Sequence, residues 1–283
     1  MSAVRMDGKA LSAKVRGSIL AETEALKEKG VTPGLAVIIV GNDPASEIYV
    51  RNKEKACAEC GFYSEKYALP AETSQEELLG LIAQLNQSPQ ISGILCQMPV
   101  PDHISEQAVI DAIDPKKDVD AFHPVNVGKI MVGNFDFVPC TPAGVMELLD
   151  EYGIDPKGKE CVVVGRSNIV GKPMSMLLLH RHGTVTICHS RTSGLAAVCR
   201  RADILVAAVG KAGFITPDMV KDGAVVIDVG INRNAEGKVC GDVAPEVMEK
   251  ASYMTPVPGG AGPMTITMLM KNTLKAAKLQ HGL

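Results

Sequence analysis

The sequence alternates short, continuous apolar runs with segments of helical spacing, and this alternation limits the fold more than any other feature. The run "LAVIIV" at 35–40 is apolar at every position, which is typical of a parallel strand covered on both faces. Asp43 followed by Pro44 has the pattern of a helix N-cap and a first helical residue. The helix that they open is predicted to end at Gly61, because glycine readily terminates a helix.

The next segments continue the pattern. A strand is predicted over "YSEKYAL" at 63–69, and Ser74 stands three residues before Glu77, which is the spacing of a capping box at a helix start. A further buried strand, "SGILCQMP", is ended by Pro99. The apolar face of the helix between these strands consists of Leu78, Ile82 and Leu85.

The second half of the chain restarts the alternation near residue 140. Thr141 and Pro142 predict an N-cap and the first residue of a helix, and Gly153 follows its predicted end. Four more strands are predicted at "ECVVVG", "TVTIC", "DILVAA" and "AVVIDVG", and a last helix is predicted to begin near Pro263. Strands that alternate with helices form parallel sheets with right-handed crossovers, so we expect an α/β fold.

Composition excludes several classes of protein. The 283 residues are 46% hydrophobic and 22% charged, which is the balance of a globular chain of about two domains. The net charge of -3 predicts no nucleic-acid or membrane partner. The apolar runs are too short to cross a bilayer, and the first twenty residues lack the apolar region of a signal peptide. We therefore expect a cytoplasmic protein.

The cysteines and histidines predict neither a disulfide framework nor a metal site. Eight cysteines are too sparse for a disulfide scaffold. Cys57 and Cys60 form a C-x-x-C in the last turns of their helix, whereas a redox pair places its first cysteine at a helix N-terminus. No second C-x-x-C completes a zinc site, and the six histidines show no metal-ligand spacing. We expect the pair to be structural.

A glycine-containing loop follows the strand "ECVVVG" directly and leads into a helix. Gly165 permits a sharp turn and Gly171 permits close backbone approach, as in a dinucleotide-binding fingerprint, although Ser167 stands where the second glycine would be. The helix N-terminus is expected to offer free N–H groups to a pyrophosphate. A plain strand-to-helix turn is the alternative. The cofactor-binding residues predicted in this loop are Gly165, Arg166, Ser167, Ile169 and Val170.

The end of the following strand favours NADP over NAD. An NAD site usually places an acidic residue there to bind the ribose hydroxyls. The segment "TVTICHSRT" instead offers Ser190 and Arg191, and Arg166 lies in the glycine loop. Hydroxyl and cationic groups suit a ribose phosphate. The alternative is that both arginines are ordinary surface residues.

These patterns together predict two α/β domains with a cleft between them. Residues 1–139, completed by the C-terminal helix at 263–283, form the first domain. Residues 140–262 form the second, a Rossmann-like parallel-sheet domain that binds NADP.

Polar side chains gather where the strands of the first domain end. Tyr49 and Lys53 are four residues apart and share a helix face, and Gln97 ends the strand "SGILCQMP". Asp118 and Asp120 lie on the loop that follows. Tyrosine can stack on a planar ring, and a lysine whose pKa is lowered by burial can transfer a proton. Glutamine can hold the lysine amine, and an aspartate can bind a heterocycle with adjacent N–H donors. The alternative is that each is a surface group.

Ordered motifs along nearly the whole chain resemble one family. The segments "SEIYVRNKEKACAECGF", "GILCQMPVP", "KKDVDAFHPVNVGK", "GRSNIVGKPMSMLLL", "CHSRT", "VIDVGIN", "GDV" and "TPVPGGAGPMT" are similar to those of the bifunctional methylenetetrahydrofolate dehydrogenase/cyclohydrolase family. The resemblance implies oxidation of methylene-tetrahydrofolate with NADP to the methenyl form, then hydrolysis to formyl-tetrahydrofolate. It also implies a role in one-carbon metabolism and purine biosynthesis, and a homodimer joined through the cofactor domains.

The resemblance implies a role for each matching residue. Tyr49 matches the tyrosine that stacks on the folate, Lys53 the catalytic lysine, and Gln97 the glutamine that assists it. Asp120 matches the aspartate that binds the pterin, and Ile231 the residue beside the nicotinamide. The cofactor-loop positions match at Arg166, Ser167 and Ser190, and the segment that closes over the folate matches at Pro258, Gly259 and Gly260.

Four positions depart from the family pattern. Ala121 stands where the family usually has glycine, and its Cβ would strain the loop if the position requires positive φ. Ala261 replaces a commoner valine, and Met98 and Val100 replace leucines. Because no polar catalytic candidate is missing, we expect both activities.

Three other functions fit parts of the sequence. A dehydrogenase that lacks the hydrolysis would share the fold, and an amino-acid or shikimate-type NADP dehydrogenase would share a two-domain layout. The latter leaves "PVPGGAGPMT" and the set of Tyr49, Lys53 and Gln97 unexplained. A non-catalytic folate- or nucleotide-binding protein is the third alternative, and the intact acid–base set argues against it.

Overall fold

The computed structural model describes residues 2–41 and 44–283, with the backbone alone for residues 44–46 and 48. The chain divides into two compact units. One, the three-stranded unit, contains Lys14–Cys140 and Ile266–Leu283; the other, the six-stranded unit, contains Met1–Ala13 and Thr141–Thr265. In chain order the elements are β1 (Val4–Arg5), α1 (Gly8–Lys27), β2 (Gly34–Val40), α2 (Pro44–Glu59), β3 (Tyr63–Leu69), α3 (Gln75–Gln87), β4 (Gly93–Cys96), α4 (Glu106–Ala112), α5 (Pro124–Val132), α6 (Cys140–Glu151), β5 (Glu160–Val164), α7 (Gly171–His180), β6 (Thr184–Cys188), α8 (Leu195–Cys199), β7 (Ile204–Ala207), β8 (Val225–Asp228), β9 (Asn232–Arg233), β10 (Val239–Cys240), β11 (Tyr253–Met254) and α9 (Ala261–Gln280), with 3-10 turns at Pro217–Met219 and Pro245–Glu249.

The three-stranded unit is built on a parallel sheet in the order β3-β2-β4. Every residue of β2 is buried, which confirms the prediction of a strand covered on both faces. Helix α2 follows β2 and stops before Gly61, whose φ of 70° is one that glycine adopts freely. The predicted N-cap Asp43 lies outside the described residues.

Helix α3 has the predicted start and the predicted apolar face. The Ser74 hydroxyl accepts a hydrogen bond from the Glu77 N–H, and the Glu77 carboxylate accepts one from the Ser74 N–H. The three apolar residues of its inner face are all buried in the core of this unit, together with side chains of β2 and β4. The capping box sets where the helix begins, and the spacing of its apolar residues sets which face meets the sheet.

The six-stranded unit contains a parallel sheet in the order β1-β11-β8-β7-β5-β6. Its core lies between β5, β7, β8 and the segments that cross over them. The α/β class and the parallel sheet agree with the prediction. The predicted boundary kept residues 1–139 together, but β1 pairs with β11, and this pairing places Met1–Ala13 in the six-stranded unit.

Two helices begin earlier than predicted, for the same reason. Helix α6 begins at Cys140, so Thr141 is a helical residue and not an N-cap. Helix α9 begins at Ala261, two residues before Pro263. The proline is the third helical residue in both cases, where its missing N–H is one that has no intrahelical partner. Proline therefore marks the first turn of a helix without marking its first residue.

The C-x-x-C pair has the environment of structural thiols. Cys57 and Cys60 are buried and unpaired. Burial raises the pKa of Cys57 to about 12 and that of Cys60 to about 11, so both are neutral thiols at physiological pH. Across the described part of the chain, no helix combines the length and apolar character that crossing a membrane requires.

Candidate active site

Helix α2 and strand β4 bring Lys53 and Gln97 together. Strands β2 and β4 are neighbours, α2 leaves the carboxyl end of β2, and Gln97 directly follows β4. The Lys53 Nζ donates a hydrogen bond to the Gln97 Oε1 over 2.7 Å. The predicted convergence of these two side chains is therefore present, and the carboxyl ends of adjacent parallel strands produce it.

The amide of Gln97 is held so that its oxygen faces the lysine. Its Nε2 donates to the Met98 carbonyl over 2.8 Å, and its backbone N–H donates to the Ile38 carbonyl over 2.8 Å. With the Nε2 committed to the backbone, only the Oε1 is left to meet the Lys53 amine. Gln97 thus restrains the direction in which that amine points.

The surroundings of Lys53 favour a neutral amine more than water does. Burial lowers the pKa of Lys53 below its ordinary value, and the nearby Asp120 carboxylate, Cys140 and Cys96 oppose this effect. An amine with a lowered pKa gives up a proton more readily than an ordinary lysine does. A lysine that transfers protons needs this property.

Asp120 has a shielded carboxylate with unused acceptor capacity. Burial raises its pKa, and the Lys53 charge opposes that effect. The Cys140 Sγ–H donates to the Asp120 Oδ1 at 3.6 Å, and no other donor to this carboxylate exists among residues 2–41 and 44–283. A carboxylate can accept about four hydrogen bonds. The Asp120 carboxylate can therefore accept further hydrogen bonds from a ligand with adjacent N–H groups.

Asp118, the other candidate on this loop, is fully engaged in holding the loop. It accepts hydrogen bonds from the backbone N–H groups of Phe122 and His123 and from the Asn126 Nδ2, at 3.2, 2.8 and 2.8 Å. Only 3% of the residue is exposed. Its side chain organises the turn that follows Asp120, so of the two aspartates Asp120 is the one available to a ligand.

Ala121 has the positive φ at which glycine would be favoured. Its φ is 58°, in the left-handed region where a Cβ is unfavourable. Its N–H donates to the Asp118 carbonyl over 3.1 Å, and the residue is completely buried. The loop therefore keeps the backbone shape of a glycine position with alanine in place.

Tyr49 presents an accessible ring on the same helix face as Lys53. It lies one turn earlier in α2 and is 39% exposed. An aromatic ring can stack on a planar ligand only if one face remains open, and this exposure satisfies that condition.

Two residues that the sequence analysis did not select hold Asp120 in place. Cys140 is buried and donates to the Asp120 carboxylate. Asn272, on the C-terminal helix, donates through its Nδ2 to the carbonyls of Val119 and Val138, over 2.8 and 2.9 Å. The Asn272 contacts join positions more than a hundred residues apart and the Cys140 contact joins positions 20 apart, so no local pattern reveals these pairs.

The glycine loop of the six-stranded unit requires its two glycines. Gly165 has a φ of 143°, and a Cβ there would lie 2.3 Å from the Ala208 carbonyl oxygen. A Cβ on Gly171 would lie 2.2 Å from the Gly165 carbonyl oxygen. The turn and the close backbone approach that the motif predicted are therefore both present.

The oxygens of Ser167 accept hydrogen bonds from the N–H groups at the start of α7. Its hydroxyl accepts hydrogen bonds from the N–H groups of Val170 and Gly171, over 3.1 and 3.3 Å, and its carbonyl accepts one from Lys172 over 3.0 Å. The prediction that this helix offers free N–H groups is therefore wrong for Gly171 and Lys172. A serine at the second glycine position of the motif supplies the acceptors itself.

Most residues predicted to bind the cofactor are exposed on the surface of the six-stranded unit. Strands β5 and β6 are adjacent, so the loop after β5 and the segment after β6 leave the same edge of the sheet. Exposed arginines and hydroxyls, with no acid directly after β6, fit a ribose phosphate better than free ribose hydroxyls. The exposed candidates are Arg166, Ser167, Ile169, Ser190 and Arg191, while Val170 is half-buried.

The remaining candidates also lie in the six-stranded unit. Ile231 follows β8 and is 55% exposed. In the 258–260 segment, Gly259 has a φ of 109°, and its carbonyl accepts a hydrogen bond from the Lys9 N–H over 3.1 Å. A Cβ on Gly260 would lie 2.7 Å from the Pro256 carbonyl oxygen. Across the described ranges, no group of three or more histidine, cysteine or acidic side chains could hold a metal ion.

Comparison with known proteins covers the whole chain. Residues 6–120 match the tetrahydrofolate dehydrogenase/cyclohydrolase catalytic domain, and residues 139–281 match the NAD(P)-binding domain of the same family. The chain is 64% identical to the bifunctional protein FolD of Acetivibrio thermocellus, over 99% of both chains. It is 62% identical to that of Moorella thermoacetica, over 98% of this chain and 100% of the relative.

Solved structures give the same result. The bifunctional FolD enzyme of Campylobacter jejuni superposes with a TM-score of 0.96 at 49% identity, over 99% of this chain and 100% of that one. The FolD of Trypanosoma brucei, solved with NADP cofactor and inhibitor, gives 0.95 at 40% identity over the whole of both chains. A shikimate 5-dehydrogenase of Thermus thermophilus gives 0.53 at 14% identity over 87% of this chain and 99% of that one, which shows a shared fold alone.

Proposed function

The chain belongs to the tetrahydrofolate dehydrogenase/cyclohydrolase family and is an enzyme with both activities, and we propose that Lys53, Gln97 and Asp120 form its folate-processing centre. The enzyme oxidises methylene-tetrahydrofolate to the methenyl form with NADP and hydrolyses this product to formyl-tetrahydrofolate. The observation that supports the assignment is the 2.7 Å hydrogen bond between the Lys53 amine and the Gln97 amide oxygen. It joins an amine of lowered pKa to a group that restrains its direction.

The folate ring is held by Asp120 and Tyr49 in this proposal. The pterin carries an N–H and an amino group side by side, and both can donate to the open Asp120 carboxylate. The exposed Tyr49 ring stacks on the flat part of the substrate. The segment of Pro258, Gly259 and Gly260 closes over the folate, a role that rests on the family resemblance.

The oxidation needs alignment more than acid–base chemistry. NADP, when bound, supplies the hydride acceptor. Arg166, Ser190 and Arg191 would hold the ribose phosphate, and the family resemblance assigns Ile231 to the nicotinamide. The product is a cation stabilised by the two nitrogens that flank its carbon, so no side chain has to remove a proton in this step. The remaining loop residues, Gly165, Ser167, Ile169 and Val170, shape the cofactor site.

The hydrolysis uses the amine of Lys53. A water oxygen attacks the cationic methenyl carbon, and one of the two carbon–nitrogen bonds breaks as the carbonyl of the formyl group forms. Lys53 accepts one proton from the attacking water and delivers it to the departing nitrogen, and the second water proton is released to solvent as the hydroxyl becomes the carbonyl. Gln97 keeps the amine directed throughout, and the lowered pKa favours the neutral amine that accepts the proton.

Spectrophotometric assays with Lys53→Met test this assignment. Absorbance of NADPH during turnover of methylene-tetrahydrofolate, measured with NADP and with NAD, reports the oxidation. Loss of methenyl-tetrahydrofolate absorbance reports the hydrolysis. The variant should lose hydrolysis by about 10²–10⁴-fold while still binding folate, because the proton relay is removed but Asp120 and Tyr49 remain.

Lys55→Met is the matched control. Lys55 lies on the same helix, with 75% of its side chain exposed, and pairs with Glu59 over 3.8 Å. Its loss should leave both rates unchanged. A Lys53→Met enzyme that hydrolyses at the normal rate would remove Lys53 from the mechanism. A normal enzyme that oxidises but does not hydrolyse would be a dehydrogenase alone, which the intact pair of Lys53 and Gln97 argues against.

The assembly and cellular role form the last part of the proposal. We propose a cytoplasmic homodimer joined through the cofactor domains, whose formyl-tetrahydrofolate product serves purine biosynthesis. The family resemblance supports these statements. Light scattering of the purified protein tests the dimer, since a mass of one chain, 29.9 kDa, would contradict it. Cell fractionation tests the compartment.

A further inference from the structure

Asp242 is a completely buried carboxylate that gathers donors from two separate loops. Its Oδ2 accepts hydrogen bonds from the N–H groups of Val209 and Gly210, over 2.6 and 3.1 Å. Its Oδ1 accepts one from the Lys211 N–H over 2.8 Å and one from the Asn232 Nδ2 over 2.9 Å. Four donors fill both oxygens, which is the full capacity of a carboxylate.

A second buried carboxylate fixes Asp242 itself. Asp228 ends β8, and its Oδ1 accepts hydrogen bonds from the N–H groups of Gly230 and Asp242, both over 2.9 Å. Its Oδ2 accepts one from the Val243 N–H over 2.9 Å. The backbone around Asp242 is therefore tied to the end of β8 while its side chain reaches the loop after β7.

The two carboxylates leave no space for a side chain at Gly230 or Gly241. A Cβ on Gly230 would lie 2.4 Å from the Asp242 carboxyl carbon. A Cβ on Gly241 would lie 1.8 Å from the Asp228 Oδ2. Contacts this close require glycine at both positions, so the backbone packs directly onto the carboxylates.

The loops that Asp242 joins lie where a nucleotide-fold sheet binds its ligand. Residues 209–211 follow β7, and residues 230–232 follow β8, at the carboxyl ends of two adjacent parallel strands. Ile231 lies between two tethered neighbours, since the Gly230 N–H bonds to Asp228 and the Asn232 side chain bonds to Asp242. Its own side chain projects into solvent. The network thus fixes the backbone of one exposed residue from both sides.

We propose that Asp242 is a positioning residue for the oxidation step, acting by holding the 209–211 and 230–232 loops in one geometry at the nicotinamide end of the cofactor site. This inference rests on the proposed function, which places Ile231 beside the nicotinamide. Asp242 does not touch the reacting atoms. It sets the position of the residues that do, and hydride transfer is sensitive to that position.

An amide cannot replace this carboxylate. Asparagine has one acceptor oxygen, so in either orientation its NH₂ group would face two N–H donors. Asp242→Asn therefore loses at least one of the four hydrogen bonds, because only the Asn232 amide can reverse to accept, and it sets an NH₂ group against a backbone N–H. The side chain keeps nearly the same size, so the substitution tests the hydrogen bonds more than the packing.

The two activities of one enzyme provide the test. For Asp242→Asn, kcat/KM for oxidation with NADP should fall about a hundredfold, because a shift of about 1 Å in the aligned groups has that effect. The rate of methenyl-tetrahydrofolate hydrolysis should stay unchanged, since Lys53, Gln97 and Asp120 lie in the three-stranded unit and, in the described part of the chain, make no hydrogen bond to either loop. A larger isotope effect with deuterated methylene substrate is also expected, because hydride transfer becomes slower than product release.

Val247→Ala is the control for a merely structural role. Val247 is completely buried in the core of the same unit and lies outside both loops. It should lower the melting temperature while the ratio of the two activities stays that of the normal enzyme. If Asp242→Asn behaves in the same way, with both activities following its thermal stability, the positioning role is overturned.

A milder variant covers the case in which Asp242→Asn does not fold. Asn232→Ala removes one donor to Asp242 and should lower the oxidation rate selectively, by less than Asp242→Asn. An unchanged ratio of activities in this variant would overturn the inference. Failure of the proposed function appears elsewhere, as an unsubstituted enzyme that reduces no NADP with methylene-tetrahydrofolate.

Discussion

Asp120 and Asp242 are both shielded from water, yet their hydrogen bonding differs completely. Asp242 accepts four N–H hydrogen bonds and is closed to anything else. Asp120 receives one weak S–H hydrogen bond from Cys140, and burial raises its pKa. An anion is tolerated in a protein interior when donors surround it, and the donor set is complete for Asp242 and reduced to one weak donor for Asp120.

The difference separates a carboxylate that holds the fold from one that waits for a ligand. Within the chain, Asp120 is stabilised by the Lys53 charge and by one weak donor, so a substrate with its own donors can supply the hydrogen bonds that are missing. Groups left in an unfavourable state in the folded protein concentrate at functional sites because binding relieves them. Lys53 has the same character, since its buried amine has a lowered pKa and lies near the same carboxylate.

Alanine substitutions at Asp118 and Asp120 should give the largest effects and opposite patterns. Asp118→Ala leaves three donors without an acceptor, among them the Asn126 amide, and should lower the free energy of unfolding by about 3 kcal/mol or more. Asp120→Ala removes a carboxylate with little compensation, so stability should hold or rise. Its kcat/KM for folate should fall about 10³-fold or more, because the pterin donors lose their acceptor.

Chemical denaturation and the two assays measure these changes on the same samples. If Asp120→Ala loses as much stability as Asp118→Ala, the carboxylate belongs to the fold and the distinction drawn between Asp120 and Asp242 fails. If Asp120→Ala keeps its affinity for folate, another group binds the pterin.

Rules of local geometry were sufficient to predict the side chains that lie near Asp120. Tyr49 and Lys53 share a helix face because residues four apart always do, and Gln97 meets Lys53 because adjacent parallel strands end at the same edge. The buried strands, the capping box at Ser74 and the glycine requirements at Gly165 follow from equally local rules. Most of the fold is predictable on this basis.

The network around Asp242 and the support of the Asp120 loop depend on long-range contacts that no local pattern reveals. Asp242 bonds to residues about thirty positions away, and Asn272 holds the Asp120 loop from 153 positions away. A lone aspartate in "GDV" or an asparagine within a helix has no sequence neighbour that indicates such partners. The N-terminal strand β1 joined the second sheet for the same reason, since its partner β11 lies near the other end of the chain.

The pH dependence of hydrolysis offers a smaller and more specific test. Burial lowers the pKa of Lys53, and the Asp120 charge opposes that lowering. Asp120→Asn removes the opposing charge, so the pKa of Lys53 should fall further. Because neutral Lys53 accepts the proton, kcat rises as pH increases through this pKa, and the rise should move to lower pH in the variant.

The profile must be measured at saturating substrate, since Asp120 also binds folate in the proposed mechanism. A rise that stays in place, or that moves to higher pH, would mean that Asp120 does not act on the Lys53 amine through its charge. Lys55→Met again serves as the control and should leave the profile unchanged, because that side chain lies mostly in solvent.

The smallest effect concerns the residue after Asp120. Ala121 and His182 both have positive φ, 58° and 62°, and glycine should relieve about 1–2 kcal/mol of strain at either position. The added freedom of the unfolded glycine chain offsets about 0.5–1 kcal/mol. Ala121 is completely buried and would also lose the burial of its methyl group, worth about 0.8 kcal/mol, whereas His182 is exposed. His182→Gly should therefore raise the free energy of unfolding by about 0.5–1 kcal/mol, and Ala121→Gly should change it little.

Denaturant titrations measure both free energies of unfolding. Equal gains in the two variants would mean that the Ala121 methyl group contributes nothing to packing. The loop that presents Asp120 would then be strained at Ala121 without a stabilising contact that offsets the strain.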